Sequence, residues 1–314
     1  MNRRQFDRLL AASLLIGALP GKVLGDAAKP TVAVLLKSML NEFFTQMANG
    51  AKAHHAGRSG QYELIVDGTQ QETDYKAQEA LIKRWQARKI SALLVVPADS
   101  VAILPALQQL MSTGTLVINI DNKLDDRALA AAGLSVPFVG PSNFAGARSV
   151  GEFIGKKLAR GSKVGLIEGP PAHINAKARS DGYREAMRAA GMEVVGQRTG
   201  EWVVEGGKRS AAELLQASPD IKALLCGNDN MAIGAADWLK GAGLADKVLV
   251  AGYDNIPAVA PYIADGRIAA TADQFPAKQA EYALDLALKS LRDGLTQADL
   301  PSIVQTPVQL VIRR

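Results

Sequence analysis

Cysteine is nearly absent. Cys226 is the single one in 314 residues, so no intramolecular disulfide can form. It sits in the run Ala223-Leu224-Leu225-Cys226-Gly227, where a thiol reads as a small buried hydrophobe. Stability must therefore come from core area, which a chain of this length can supply. Histidine is scarce too. His54 and His55 are adjacent on a helical stretch and cannot face the same way, and His173 stands alone, so no metal site is expected. There is no His-Glu-x-x-His, no Gly-x-Ser-x-Gly elbow and no Gly-x-Gly-x-x-Gly after the first strand. Gly165-x-x-x-Gly169 lacks the Gly-Lys-Ser ending of a phosphate loop. These absences argue against an enzyme and against a cofactor. A two-carboxylate hydrolase through Asp121 and Asp254 is the one catalytic alternative left. Aromatic residues make up only 5% of the chain, so an aromatic beside a polar cluster carries extra weight.

The charge balance is +5, but the basic residues are spread along the chain rather than clustered. That is a solvated surface, not a nucleic-acid patch. Residues 1–30 stand apart from the fold. Arg3 and Arg4 precede an apolar stretch, Leu9 to Leu19, too short to span a bilayer, and small residues follow near Gly25 to Ala28. The Arg-Arg-x-Phe order resembles a twin-arginine export signal. No cysteine lies near the expected cleavage site, which argues against a lipid anchor, and no later apolar run is long enough for a membrane span. The expectation is a periplasmic product, exported and soluble after signal cleavage.

The remainder alternates short apolar runs with helical periods. Strands are expected at 31–36, 63–66, 92–96, 116–120, 138–140, 163–168, 193–198, 223–226, 248–253, 268–272 and 308–312. Helices are expected at 43–56, 74–88, 145–159, 180–190, 205–216, 231–240 and 277–291, several of them ending at Gly57, Gly191 or Gly241. Most strand runs are continuously apolar, the mark of parallel strands buried on both faces. Strand–helix alternation with short loops is an α/β fold with right-handed crossovers. So many strands suggest a division, best placed near Val136-Pro137-Phe138-Val139-Gly140-Pro141.

In open parallel sheets ligands bind beyond the carboxyl ends of strands. Those ends are rich in polar groups. Strand one ends at Lys37, with Asn41, Phe43 and Phe44 opening the next helix. Others end at Asp99-Ser100, Asp121-Asn122-Lys123, Glu168-Gly169, Asn228-Asp229-Asn230, Asp254-Asn255 and Asp273-Gln274, and Asn175 and Arg179 follow the first of the second half. Carboxylates accept from hydroxyls, amides donate and accept, and Arg offers a planar fork of donors. Phe43, Phe44 and Trp202 could cover the C–H faces of a ring. Such a set suits a neutral, multiply hydroxylated ligand. Some members have local roles instead: Asp99 and Ser100 look like helix caps, Asn230 is placed to cap the helix after it, and Asp229 could hold its loop.

Read together, Leu36 to Phe44, Asn119 to Asn122, Ala178 to Tyr183, Asn228 to Gly234, Gly252 to Asp254 and Ala270 to Gln274 resemble, in order and spacing, the periplasmic sugar-binding proteins of ABC importers in the ribose, allose and galactose group. The resemblance covers essentially residues 31–314. It implies a type I periplasmic binding protein fold: two similar Rossmann-like lobes with parallel sheets, three hinge crossovers and a ligand cleft between lobes. It implies an N-terminal lobe of 31–137 plus 274–298 and a C-terminal lobe of 138–273 plus 299–314, with crossovers at 138–141, 272–274 and 298–302. It implies a ligand-binding set of Lys37, Asn41, Phe43, Phe44, Asp121, Asn122, Asn175, Arg179, Trp202, Asn228, Asp254 and Gln274. The partners implied are a monosaccharide or polyol and an ABC permease, with a chemoreceptor or membrane sensor as a further reader of the closed form. A monomer with no nucleic-acid partner is expected. Sugar-responsive repressors share the fold but carry an N-terminal helix-turn-helix that residues 1–30 do not supply. Two departures bear on the ligand. Ribose-type members usually place arginine where this chain has Asn122, and proline where it has Glu42. Lys37 matches a position that is lysine in allose-type members. An allose-like sugar is favoured, with a ketose or polyol as the alternative.

Overall fold

The computed structural model describes residues 29–313. Its strands run, in chain order, β1 Thr31–Leu36, β2 Glu63–Gly68, β3 Ala92–Val95, β4 Leu116–Ile120, β5 Phe138–Gly140, β6 Lys163–Glu168, β7 Glu193–Thr199, β8 Ala223–Cys226, β9 Leu249–Ala251, β10 Ala270–Asp273, β11 Ile303–Gln305 and β12 Gln309–Ile312. The helices are α1 Glu42–Ala56, α2 Tyr75–Ala87, α3 Leu104–Met111, α4 Asp126–Ala131, α5 Asn143–Gly155, α6 Ile174–Ala190, α7 Val204–Ala217, α8 Asp229–Gly241, α9 Ala260–Asp265 and α10 Pro276–Arg292. The strands form two sheets of matching design, β11-β5-β4-β3-β1-β2 and β12-β10-β9-β8-β6-β7. All pairings are parallel except that of β12 with β10. This is the two-lobed type I architecture.

Each sheet is covered on both faces because its strands are apolar on both. Along β1, Val32, Val34 and Leu36 pack with Phe43, Phe44 and Met47 of α1 and with Ala280, Ala283 and Leu284 of α10. The alternate residues Ala33 and Leu35 pack on the other face with Ile82, Trp85 and Leu107. Burial on both sides is what removes the polar alternation from these runs. In the second lobe Val164, Leu166 and Leu225 meet Val150, Tyr183 and Met187 in the same manner. Cys226 is fully buried in this interior, and burial pushes its thiol pKa up. Of the expected glycine caps, only Gly191 adopts the left-handed conformation, at φ 74°. Gly57 is right-handed at φ −77°, and Gly241 is the last helical residue of α8, whose cap is Ala242.

The chain passes between sheets three times, and two expected boundaries move. β5 pairs with β4 and β11, so 138–140 lies in the first sheet and the first crossover follows Gly140. β11 also lies in the first sheet while β12 lies in the second, so the last crossover is 306–308 rather than 298–302. The second crossover leads from β10 of the second sheet to α10, which packs on α1 of the first. Residues 1–28, and with them most of the expected export signal, lie outside the described residues.

Candidate functional site

The carboxyl ends of both sheets face one another across a narrow cavity. It is lined by Lys37, Asn41, Phe43, Phe44, Glu72 and Asp121 of the first lobe and by Asn175, Arg179, Trp202, Asn228 and Asp254 of the second. Several of these side chains are aimed by unusual backbone. Asp121, Trp202 and Asp254 have φ of 60°, 64° and 115°, a region that non-glycine residues occupy only when their surroundings impose it. For Trp202 the surroundings include Gly169, where an added Cβ would lie 1.9 Å from the indole. The ring fills the space that a side chain at 169 would need.

Phe43 and Phe44 meet edge to face, with centroids 5.1 Å apart. The Lys37 ammonium lies 5.5 Å from the Phe44 ring centroid and 5.7 Å from that of Trp202, between first-lobe and second-lobe aromatics. It pairs with Glu72 at 3.3 Å. Across the cavity, the Arg179 Nη1 donates to the Gly227 carbonyl at 2.7 Å and to Asp254 Oδ1 at 3.1 Å, while its Nε donates to Asn143 Oδ1 at 2.8 Å. Its guanidinium lies over the Tyr253 ring at 3.9 Å. Gln274 Nε2 donates to the same Asp254 oxygen at 2.7 Å.

Burial shapes the charges. It raises the pKa values of Asp121 and Asp254, with Lys37 and Arg179 respectively pulling each back down. Burial alone would lower the Arg179 pKa, but Asp254, Tyr253 and Asp121 reverse the sign and raise it, so the guanidinium stays charged. Two buried acceptors in the cavity wall have no donor: Asp121 Oδ1 from the first lobe and Asn175 Oδ1 from the second. Buried polar atoms without partners call for a physical explanation, and these two face each other's lobes across the cavity.

Ten of the expected residues line this cavity, and two stand outside it. Asn122 is turned into the strand-end loop, where its Nδ2 donates to the Pro97 carbonyl at 2.9 Å and its Oδ1 receives the Asn175 amide at 3.4 Å. Gln274 stands behind the cavity, against Asp254. Asn41 and Asn228 do more than line the wall. Asn41 Oδ1 caps α1 through the Phe43 amide and its Nδ2 donates to Glu72, and Asn228, not Asn230, caps α8 through the Met231 amide. Asp229 holds its loop, accepting from the Ile256 amide and the Thr271 hydroxyl. Asp99 caps its turn through the amides of Val101 and Ala102.

Sequence reasoning missed two members. Glu72 follows β2, a strand end governed by the same rule as the others. His173 is not isolated: its Nδ1 accepts from Trp202 Nε1 at 2.7 Å and its Nε2 donates to the Ala98 carbonyl of the first lobe at 2.8 Å. Among the described residues no cluster of histidine, cysteine and carboxylate side chains fit to hold a metal is found.

A family model described as "Periplasmic binding protein domain" matches residues 32–295. The chain belongs to the periplasmic binding protein family. Its likeness is to the sugar-binding group that serves ABC importers. The D-ribose/D-allose-binding protein of Pseudomonas aeruginosa is 42% identical over 99% of both chains. A solute-binding protein of an ABC transporter from Burkholderia multivorans superposes with a TM-score of 0.88 at 46% identity, covering 91% of this chain and 100% of that one. A periplasmic solute-binding protein from Actinobacillus succinogenes, solved with bound D-allose, superposes at 0.85 with 32% identity, covering 91% and 98%. Periplasmic binding proteins capture solutes rather than transform them, so the hydrolase alternative falls.

Proposed function

We propose that this periplasmic binding protein captures one neutral monosaccharide, an allose-like pyranose, between its lobes and delivers it to an ABC permease. The observation that carries the reading is the pair of orphan acceptors, Asp121 Oδ1 and Asn175 Oδ1, one from each lobe. An acceptor needs a donor, and a ligand with hydroxyls on both sides supplies two at once. Lys37 and Arg179 offer donors for the same hydroxyl oxygens, and Phe44 and Trp202 offer faces for ring C–H groups. Three carboxylates stand with two cations in the cavity wall, which disfavours an anionic ligand.

A ligand bonded to both lobes favours the closed arrangement over an open one. The crossovers after Gly140, at 274–275 and at 306–308 are the hinges in this account, and the closed pair of lobes is the surface a permease reads. We assign residues 1–30 as a cleaved export signal and the working form as a monomer. A second reading, a ketose or polyol, rests on Lys37 standing between the aromatic rings of the two lobes.

A thermal-shift screen of the mature protein against pentoses, hexoses, deoxysugars and polyols tests the proposal. A ligand at about 100 times its Kd adds roughly 2.7 kcal/mol of stability. D-allose should give the largest rise in melting temperature. A ketose or polyol that outranks it selects the second reading, and a flat panel would refute sugar capture altogether.

A further inference from the structure

His173 occupies the N-cap position of α6, yet its side chain makes no capping bond. It reaches across the cleft instead. Tryptophan can only donate, so the 2.7 Å contact from Trp202 Nε1 fixes Nδ1 as an acceptor. The proton then sits on Nε2 and is donated to the Ala98 carbonyl at 2.8 Å. The imidazole and indole planes differ by only 13°. His173 and Trp202 belong to the second lobe, and Ala98 follows β3 of the first. One fully buried, neutral imidazole therefore fixes the rotation of a cavity-wall aromatic and ties that wall to the opposite lobe.

We propose that His173 is a positioning residue for ligand capture: it orients Trp202 against the ligand and latches the lobes through Ala98, and the bond from Trp202 requires the unprotonated ring. This rests on the sugar-capture reading given above. Protonation would place a hydrogen on Nδ1 facing the Trp202 N–H and the Lys37 ammonium, which lies 3.4 Å from Nδ1. The charged groups around the ring are Lys37 with its partner Glu72, and Arg179 from α6. Burial, then Lys37, holds the closed-form imidazole pKa down to about 2. Once the lobes part, the ring loses Ala98 and meets water, where a histidine titrates near pH ~6.5. Closure must then expel a proton from any molecule that carries one. The contribution to affinity is complete above that pH and is lost as pH falls below it, approaching about tenfold in Kd per pH unit. The carboxylates Asp121 and Asp254, raised by burial, act in the opposite direction, so the comparison must be between proteins.

The test is titration calorimetry with D-allose from pH 5 to pH 8 on wild type, H173Q, W202F and the double variant. H173Q keeps an amide donor within reach of Ala98 but has nothing to titrate. At pH 8, H173Q and W202F should each raise Kd about tenfold, and the double variant should do little more than the worse single one, because both remove one shared bond. Below pH 6.5 the wild-type advantage over H173Q should shrink steadily. Parallel pH profiles together with additive single effects overturn the latch while leaving sugar capture intact. A wild type that fails on D-allose but binds another member of the sugar panel moves the same titrations to that ligand, whereas binding to none of the panel overturns the sugar reading and the latch with it. W202F retains the aromatic face and keeps the test decisive should H173Q fold poorly.

Discussion

Removing the Asp254 carboxylate is the perturbation with the largest expected effect on capture. Asp254 Oδ1 accepts from both Arg179 and Gln274, and Arg179 is 3% exposed. In D254A the guanidinium remains buried without its carboxylate, and breaking one side of such a pair costs ~3–5 kcal/mol. That pair lies wholly within the second lobe, so this cost appears in the stability of the ligand-free protein. Affinity falls separately, because the ligand loses a charged acceptor. Hydrogen bonds to charged groups are worth ~1.5–3 kcal/mol each, so one or two lost hydroxyl contacts raise Kd by roughly 100-fold. D254N keeps the volume and one acceptor and should fall between. Asp220 is the control: it is exposed and pairs with Lys163 at 2.9 Å on the surface, away from the cavity. Titration calorimetry with D-allose reads affinity, and urea denaturation of the ligand-free protein reads stability. Equal Kd values for D254A and D220A would refute the reasoning.

Three further outcomes follow from the same geometry. G169A places a methyl 1.9 Å from the Trp202 indole, so it should destabilise the protein by ~1–3 kcal/mol and weaken ligand binding; unchanged urea midpoint and Kd would contradict the packing argument. Glu42 Oε2 accepts the Ala258 amide of the opposite lobe at 3.0 Å, so E42A should raise the sugar dissociation rate a few-fold in stopped-flow measurements without moving the ligand-free melting temperature. Burial raises the Asp229 pKa to about 7 despite the Thr271 and Ile256 hydrogen bonds. A folded-state pKa above the unfolded value near ~3.9 means that this contribution to stability is full below pH ~4 and lost as pH rises to about 7. Urea denaturation of wild type against D229N across pH 4 to 8 should show that loss in wild type alone.

Much of this was legible in the sequence because parallel strands buried on both faces leave continuous apolar runs. β1, β6 and β8 could be read directly, and Lys37 just beyond β1 and Asn228 just beyond β8 line the cavity. β11 was not legible. It has three residues, two of them exposed, and only its pairing with β5 makes it a strand. The last crossover was misplaced for that reason. Asn122 stands outside the cavity wall although adjacent strand-end residues look alike in sequence; the backbone at Asp121 is left-handed, and only Asp121 of the two lines the cavity. Glu72 could have been found by applying the strand-end rule to β2. No spacing rule reaches His173, whose partners lie 29 and 75 residues away in the chain. Glu42, read only as a departure from the ribose pattern, also accepts the Ala258 amide in a turn of the other lobe.

The central claim is that two unpaired buried acceptors, one on each lobe, receive hydroxyls of a single sugar. A crystal structure of the protein grown with D-allose tests it most directly. The account predicts one sugar ring enclosed near Phe44 and Trp202, with hydroxyls within hydrogen-bond distance of Asp121 Oδ1 and Asn175 Oδ1 and no sugar elsewhere. A closed protein whose sugar leaves both oxygens unpaired, or a sugar bound outside this cavity, would contradict it.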